Sequence, residues 1–470
     1  MRIERDLLGE VQLPDQVYYG VQTLRAVTNF SITGHRLCSE FIVALAVVKK
    51  AAANANMKTC LLPEEVGKAI VQAADEIIRG KWHDQFVVDP IQGGAGTSMN
   101  MNTNEVIANR AIEILGGEKG NYQLVSPNNH VNMSQSTNDV IPTAIRIAAI
   151  HKAKKLNCEL SALVDSLNEK AVSFGQVLKM GRTHLQDAVP ITLGQEFKAY
   201  ADGLSRAIRR INTAMASLKE INMGATAVGT GLNAEPLYIE EVVRQISMLS
   251  DDKFVTAANL IDATQNTDSL AEFSSALKVC ALTLSKIAND LRLMASGPRC
   301  GLNEVFLPAL QPGSSIMPGK INPVIPEMVN QVAFQVIGND QAVALAVEAG
   351  QLELNVMEPV LAYNLFNSLS ILTNAVNSFN YKCIRGIKAN EERCQEAVNR
   401  SLGVLTALTP HIGYEQASLI AKEAQQTAKP VRELLLEKKL MTAEQLEVIL
   451  SPAEMTKPGI AGKQYMDLFC

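Results

Sequence analysis

Long apolar runs are missing from this 470-residue chain. None approaches the roughly 20 residues that a membrane span needs. The opening Met1-Arg2-Ile3-Glu4-Arg5-Asp6 is charged and leads to no apolar core of signal-peptide length. No Lys or Arg run is long enough to suit nucleic acid or an anionic membrane surface, and the net charge is −5. Eight cysteines are scattered without CxxC spacing, so reduced thiols are expected rather than a disulfide framework. These absences point to a cytoplasmic protein with neither membrane nor nucleic-acid partners. Six histidines show no HxxxH or HExxH pairing, so no metal site is expected. There is no GxSxG elbow. Aromatic residues make up only 5%.

What is present favours helices. Hydrophobic residues reach 47% against 19% charged, a globular composition rich in Ala, Leu, Val and Met, and the length suggests roughly two to four units. Leu270, Phe273, Leu277, Cys280, Leu284, Ile287, Leu291 and Met294 follow 3-4-3-4-3-4-3 spacing, a seam of more than three heptads. Small residues such as Ala271, Ser274, Ala281 and Ala288 flank it, so this helix is expected inside a bundle. Leu156, Leu160, Leu163, Val164 and Leu167 repeat at helical spacing. A third pattern runs from Glu327, with Pro326 in a first-turn position, to about Glu358 before Pro359. Helices of about 30 residues span about 45 Å and suit a long bundle shared between subunits. Residues 1–134 mix short helices with Gly- and Asn-rich loops, and Gln85 to Ile91 reads as a short extended piece. From 395 the chain is more charged, with amphipathic helices over Tyr414 to Thr427 and Pro430 to Lys438. The expectation is an all-α fold of three domains: 1–134, a long central bundle over 135–394, and a small helical domain over 395–470.

Four loops are more polar than a helix bundle requires. Gly313 to Asn322 (GSSIMPGKIN) combines two hydroxyls, an ammonium and a carboxamide. Its glycines permit unusual backbone angles, while Pro312 and Pro318 limit its shapes. Such a segment suits a lid that folds over a ligand. Gly93 to Asn100 (GGAGTSMN) packs three glycines before Thr97 and Ser98, yet lacks the ending of a P-loop and the third spaced glycine of a dinucleotide turn. Ser134 to Asp139 (SQSTND) precedes an apolar helix. One of Ser136, Thr137 or Asn138 serves as its N-cap, and the remaining donors suit a carboxylate. Gly181 to Asp187 places His184 beside Thr183 between two helices, where an imidazole binds an anion or moves a proton. Together these groups fit a small multi-carboxylate anion and removal of a proton next to a carboxylate.

GSSIMPGKIN resembles the flexible loop of the fumarase/aspartase lyase superfamily. His130 to Asp139 (HVNMSQSTND) and Gly181 to Pro190 (GRTHLQDAVP) are similar to its other two active-site segments, in the same order and spacing. The likeness runs from Arg5 to about Pro458, and Pro410-His411-Ile412-Gly413-Tyr414 resembles the branch of class II fumarases and aspartases. Within that branch, Gln92 to Ser98 (QGGAGTS), Ser136-Thr137-Asn138 and Asp187-Ala188-Val189-Pro190 lean to the ammonia-lyase side. Ser126-Pro127-Asn128-Asn129 stands where fumarases read HPND.

The resemblance implies anti elimination of ammonia from L-aspartate to give fumarate through an aci-carboxylate, without a cofactor. A divalent activator is not predicted. Hydration of fumarate to malate, as in class II fumarase, is the alternative activity. Carried over residue by residue, the resemblance makes Ser314 the base. Thr97, Ser136, Thr137 and Ser315 hold the β-carboxylate, with Ser98 beside them. Lys320, Asn322 and Thr183 fix the α-carboxylate. Asn138 and His184 lie near the amino group, and Glu327 orients His184. The resemblance also implies a homotetramer whose active sites are each built from three subunits.

Overall fold

The computed structural model describes residues 1–466. Helices dominate, and the strands are short and only paired in twos, in keeping with an all-α fold. Two compact units emerge, each assembled from separated stretches. The first comprises 1–158, 208–281 and 333–373; the second comprises 159–207, 282–332 and 374 onward.

In the first unit, a hairpin of β1 (Arg2–Asp6) and β2 (Gly9–Leu13) pairs antiparallel, with Arg2 opposite Leu13. Helix α1 (Ser39–Lys58) packs against the helices Glu64–Ile78 and Pro236–Ser250, and α2 (Thr97–Ile114) packs on Glu64–Ile78 as well. The buried face of α1 carries Leu45, Val48 and Ala52 at helical spacing, and Lys49 stands buried among them. Residues 86–88 join no strand. Their polar backbone is paired instead by Asn102, whose Oδ1 accepts from Val87 N and whose Nδ2 donates to Gln85 O.

Five long helices follow: α3 (Thr137–Ser173), α4 (Leu193–Ser217), α5 (Asp268–Met294), α6 (Val324–Glu348) and α7 (Glu358–Lys382). All eight residues of the α5 seam, from Leu270 to Met294, are buried. Leu156, Leu160, Leu163 and Leu167 of α3 are buried too, while Val164 is half-buried. The pattern from Glu327 to Glu358 does not form one helix. It breaks into α6 and α7 because Asn355, fully buried, supplies polar partners for both ends. Asn355 Nδ2 donates to Ala346 O and Val347 O at the end of α6, and its Oδ1 accepts from Met357 N before α7. Leu352 adopts a left-handed backbone in the connection. Pro359 does not stop a helix; it sits in the first turn of α7, where no N–H is needed.

In the second unit, β3 (Leu178–Thr183) and β4 (Gln186–Thr192) form an antiparallel hairpin, where the sequence suggested only a loop between helices. The inner residues Leu178 and Met180 join a core with Val398, Leu405, Leu408, Ile420, Leu434, Leu446 and Ile449. The C-terminal helices run over Glu391–Arg400, Tyr414–Thr427 and Val431–Glu437, the last two close to the sequence expectation. Among the described residues no helix is long and apolar enough to cross a membrane.

Candidate active site

The first unit joins two of the polar loops. Gly94, Ala95 and Gly96 all have positive φ, which brings the loop sharply into α2. A Cβ on Gly96 would lie 3.0 Å from Ile141 Cγ1, so the turn is pressed against the first turns of α3. Thr97 is exposed and Ser98 half-buried at the start of α2. Thr97 Oγ1 donates to Gly94 O at 2.7 Å, so this hydroxyl must exchange partners before it donates to a ligand.

The beginning of α3 is more open to a ligand. Ser136 is the N-cap: its Oγ accepts from Asn138 N at 3.2 Å, and Asp139 Oδ1 accepts from Ser136 N at 2.9 Å. Thr137 Oγ1 accepts from Asn100 Nδ2 at 3.3 Å. Both hydroxyls therefore act as acceptors toward the protein, which leaves each O–H proton to donate outward. Asn138 Nδ2 is committed to Ala227 O at 2.7 Å.

Beneath these donors lies a group that sequence reasoning missed. Asn132 Oδ1 accepts from Lys49 Nζ at 3.0 Å, Asn100 Nδ2 at 3.1 Å and Asn104 Nδ2 at 3.2 Å. Lys49 also donates to Gln135 Oε1 at 2.9 Å. Burial pushes the Lys49 ammonium down to about 7, opposed by the Asp139 charge. Asp139, also buried, is pushed up to about 6, although its carboxylate accepts from Ser136, Gly224 and Thr226 N–H groups. The signal was present in the chain: a lysine at the core spacing of an Ala- and Val-rich helix, and asparagines at i and i+4 of the next.

The second unit carries the remaining candidates. His184 and Leu185 have φ of 55° and 61° and make the two-residue turn of the β3–β4 hairpin, with Thr183 opposite Gln186. Two left-handed residues match the twist of the strands they join. Thr183 and His184 are both exposed, and among the described residues no hydrogen bond or ion pair joins His184 to Glu327. Glu327 lies half-buried in the first turn of α6.

Gly313 to Asn322 form a closed loop with a tight neck. Gly313 N donates to Lys320 O and Asn322 Nδ2 donates to Gly313 O, each at 2.7 Å. A Cβ on Gly313 would lie 2.6 Å from Lys320 O, so glycine is required by the approach of the two strands of the neck. Within the loop, Ser314 Oγ accepts from the backbone N–H groups of Ile316 at 3.2 Å and Met317 at 3.0 Å. Ser315 and Lys320 are exposed, and Ile316 is 84% exposed, an unusual position for so apolar a side chain.

Two family comparisons cover most of the chain. Residues 9–338 match the family described as Lyase, and residues 404–457 match that described as Fumarase C C-terminus. The chain belongs to the fumarase/aspartase family of lyases. Its similarity to family members is near full length. The aspartate ammonia-lyase of Bacillus subtilis (strain 168) is 60% identical over 466 residues, covering 99% of this chain and 98% of that one. A fumarate lyase:delta crystallin structure from Brucella melitensis has a TM-score of 0.95 at 49% identity, covering 97% of this chain and 100% of that one. The class II fumarase structure of Schistosoma mansoni has a TM-score of 0.92 but only 37% identity, covering 97% and 99%. The fold is thus shared with both of these lyase structures, while sequence identity is higher with the ammonia-lyase than with the class II fumarase.

Proposed function

We infer that this carbon–nitrogen lyase removes ammonia reversibly from L-aspartate to give fumarate. The observation that carries the mechanism is the pair of backbone N–H groups aimed at Ser314 Oγ. A serine hydroxyl is a poor base, and its alkoxide becomes accessible only where fixed donors stabilise it. Two N–H groups already face that oxygen, and the Lys320 ammonium belongs to the same loop. Closure of the lid would expel water and strengthen both effects.

The Cβ proton of aspartate is very weakly acidic, so the negative charge left on carbon must spread into the β-carboxylate. Ser314 takes the proton, and the electron pair of the C–H bond moves into that carboxylate as an aci-carboxylate dianion. Collapse of the dianion forms the C=C bond while the C–N bond breaks and ammonia departs on the opposite side. Stabilisation must be stronger for the dianion than for the ground state to accelerate the reaction. The outward-facing hydroxyls of Ser136 and Thr137 supply it, together with Ser315, Thr97 and the neighbouring Ser98. Lys320, Asn322 and Thr183 anchor the α-carboxylate, and Asn138 and His184 face the amino group. The chemistry calls on these side chains and backbone dipoles, with no cofactor.

The reading includes a cytoplasmic homotetramer in which each site draws on three subunits. In the single chain Thr183, His184, Ser315 and Lys320 are exposed, as are Ile316 on the lid and Phe334 and Leu345 on α6. Assembly would cover such apolar groups and enclose the polar ones. Glu327 would then reach His184 from a neighbouring subunit. Fumarate formation, followed by ultraviolet absorbance with L-aspartate and separately with L-malate, tests the proposal. Turnover of malate alone would overturn it in favour of a hydratase.

A further inference from the structure

A strand alternates its side chains, so Lys179 and Arg182, three residues apart on β3, should point to opposite faces. They reach the same carboxylate. Arg182 Nη1 lies 2.7 Å from Glu304 Oε1, and Lys179 Nζ lies 2.9 Å from Glu304 Oε2. The pairing is irregular at this point: between the Met180–Pro190 and Arg182–Asp187 pairs, Ala188 and Val189 of β4 face the single residue Gly181 of β3, so β4 carries a bulge that twists the hairpin. Gly181 occupies that point, and a Cβ there would come 2.7 Å from Val189 O across the hairpin.

Glu304 is 1% exposed, and its own backbone is fixed at both ends. Its N–H donates to Met294 O at 2.8 Å, and its carbonyl accepts from Asn390 N at 2.9 Å. Lys179, 3% exposed, holds a second carboxylate as well, with both oxygens of Glu196 at 2.9 Å. Buried charges of this kind tolerate little displacement, because moving Glu304 leaves Lys179 with the carboxylate of Glu196 alone and Arg182 with only the more distant one of Asp187, 3.9 Å away. Arg182 is followed directly by Thr183 and His184 at the turn.

We infer that Glu304 is a positioning residue: by gripping Lys179 and Arg182 it fixes β3 where it faces the bulge of β4 and thereby the direction in which Thr183 and His184 are presented. Its catalytic consequence rests on the reading that these two residues meet the substrate. Glu304 itself contacts no reacting atom and acts through the strand.

The test uses the full-length Glu304→Gln variant and two readouts. Amide hydrogen exchange over 181–188, without substrate, is expected to speed up by about tenfold or more, equivalent to about 1.4 kcal/mol of local opening. In turnover, KM for L-aspartate is expected to rise by a similar factor while kcat falls less, since Thr183 holds a carboxylate that does not change charge. Glu304→Asp, which reaches one cation at a time, should recover part of both effects. If Glu304→Gln does not fold, Arg182→Gln removes the same contact from its less buried end and must give the same two changes. Unchanged exchange over 181–188 in a folded variant overturns the positioning role. Faster exchange with unchanged KM overturns its link to substrate. A wild type that does not deaminate L-aspartate counts against the proposed function, and the exchange result still decides the role of Glu304 in holding the hairpin.

Discussion

Lys49 Nζ lies 3.0 Å from Asn132 Oδ1, with the lysine wholly buried and the asparagine at the foot of the turn that presents Ser136 and Thr137. A hydrogen bond from a charged donor is worth about 1.5–3 kcal/mol, yet burying the ammonium opposes that gain. In Lys49→Met the turn keeps the amides of Asn100 and Asn104 but loses the link to Gln135. Asp139 also loses its nearby cation. The variant should fold with a lower melting midpoint, and KM for L-aspartate should rise because the carboxylate donors are less fixed. A midpoint and KM equal to those of the wild type would show that the lysine is a passive core residue.

Ser314→Ala removes the proposed base while leaving the neck of the lid intact. General-base groups contribute about 10²–10⁴-fold, so kcat for fumarate formation should fall by at least that range, with an unchanged melting midpoint. Gly313→Ala tests the neck separately. Its Cβ would meet Lys320 O at 2.6 Å and Asn322 N at 2.9 Å, so the loop must open at its base. That variant should retain its thermal stability and lose most of its kcat. Retained turnover in Ser314→Ala would remove the serine from the mechanism.

The closed loop over 313–322 was legible in the sequence because its geometry depends on residue types close together: glycine where the backbones of the neck approach, and the Asn322 amide that closes it. The hairpin was less so. His184-Leu185 is not one of the Asn-Gly or Gly-Gly pairs that announce a two-residue turn, and its left-handed backbone is imposed by strand pairing on either side. The break between α6 and α7 was hidden for a related reason. Asn355 caps both helices through tertiary contacts, whereas the local pattern of apolar residues continues across it. The clasp of Glu304 on Lys179 and Arg182 spans more than 120 positions and leaves no periodic trace.

Lys320 makes no hydrogen bond or ion pair through its ammonium among the described residues, and it is exposed. Its contribution should therefore appear in substrate binding more than in folding. Lys320→Met removes the proposed charge-assisted bond to the α-carboxylate, worth about 1.5–3 kcal/mol, roughly a 10–150-fold rise in KM. The melting midpoint should stay within the small changes usual for surface positions. Steady-state rates over a range of L-aspartate concentrations, together with a thermal melt, distinguish this from a general structural effect. A fall in kcat with KM unaltered would assign the lysine to the base rather than to the anchor.

Glu358 begins α7 with its side chain fully buried and both oxygens without a hydrogen-bond partner among the described residues. Burial pushes its carboxyl up to about 8, and the buried Arg146 guanidinium only partly opposes this. Between its ordinary value near 4.5 and about 8, the folded protein therefore holds a proton that the unfolded chain has released. The stabilising contribution is complete below the ordinary value and is lost as pH rises through the folded one. Glu358→Gln keeps the shape and removes the titration. Its melting midpoint should match the wild type near pH 4.5 and exceed it at pH 8, by roughly 1 °C for each kcal/mol lost by the wild type. Melts in parallel buffers over that interval measure the difference between the two proteins, so titrations they share cancel. Parallel pH curves would mean that Glu358 is ionised in the folded state throughout, held by Arg146 more strongly than burial disfavours it.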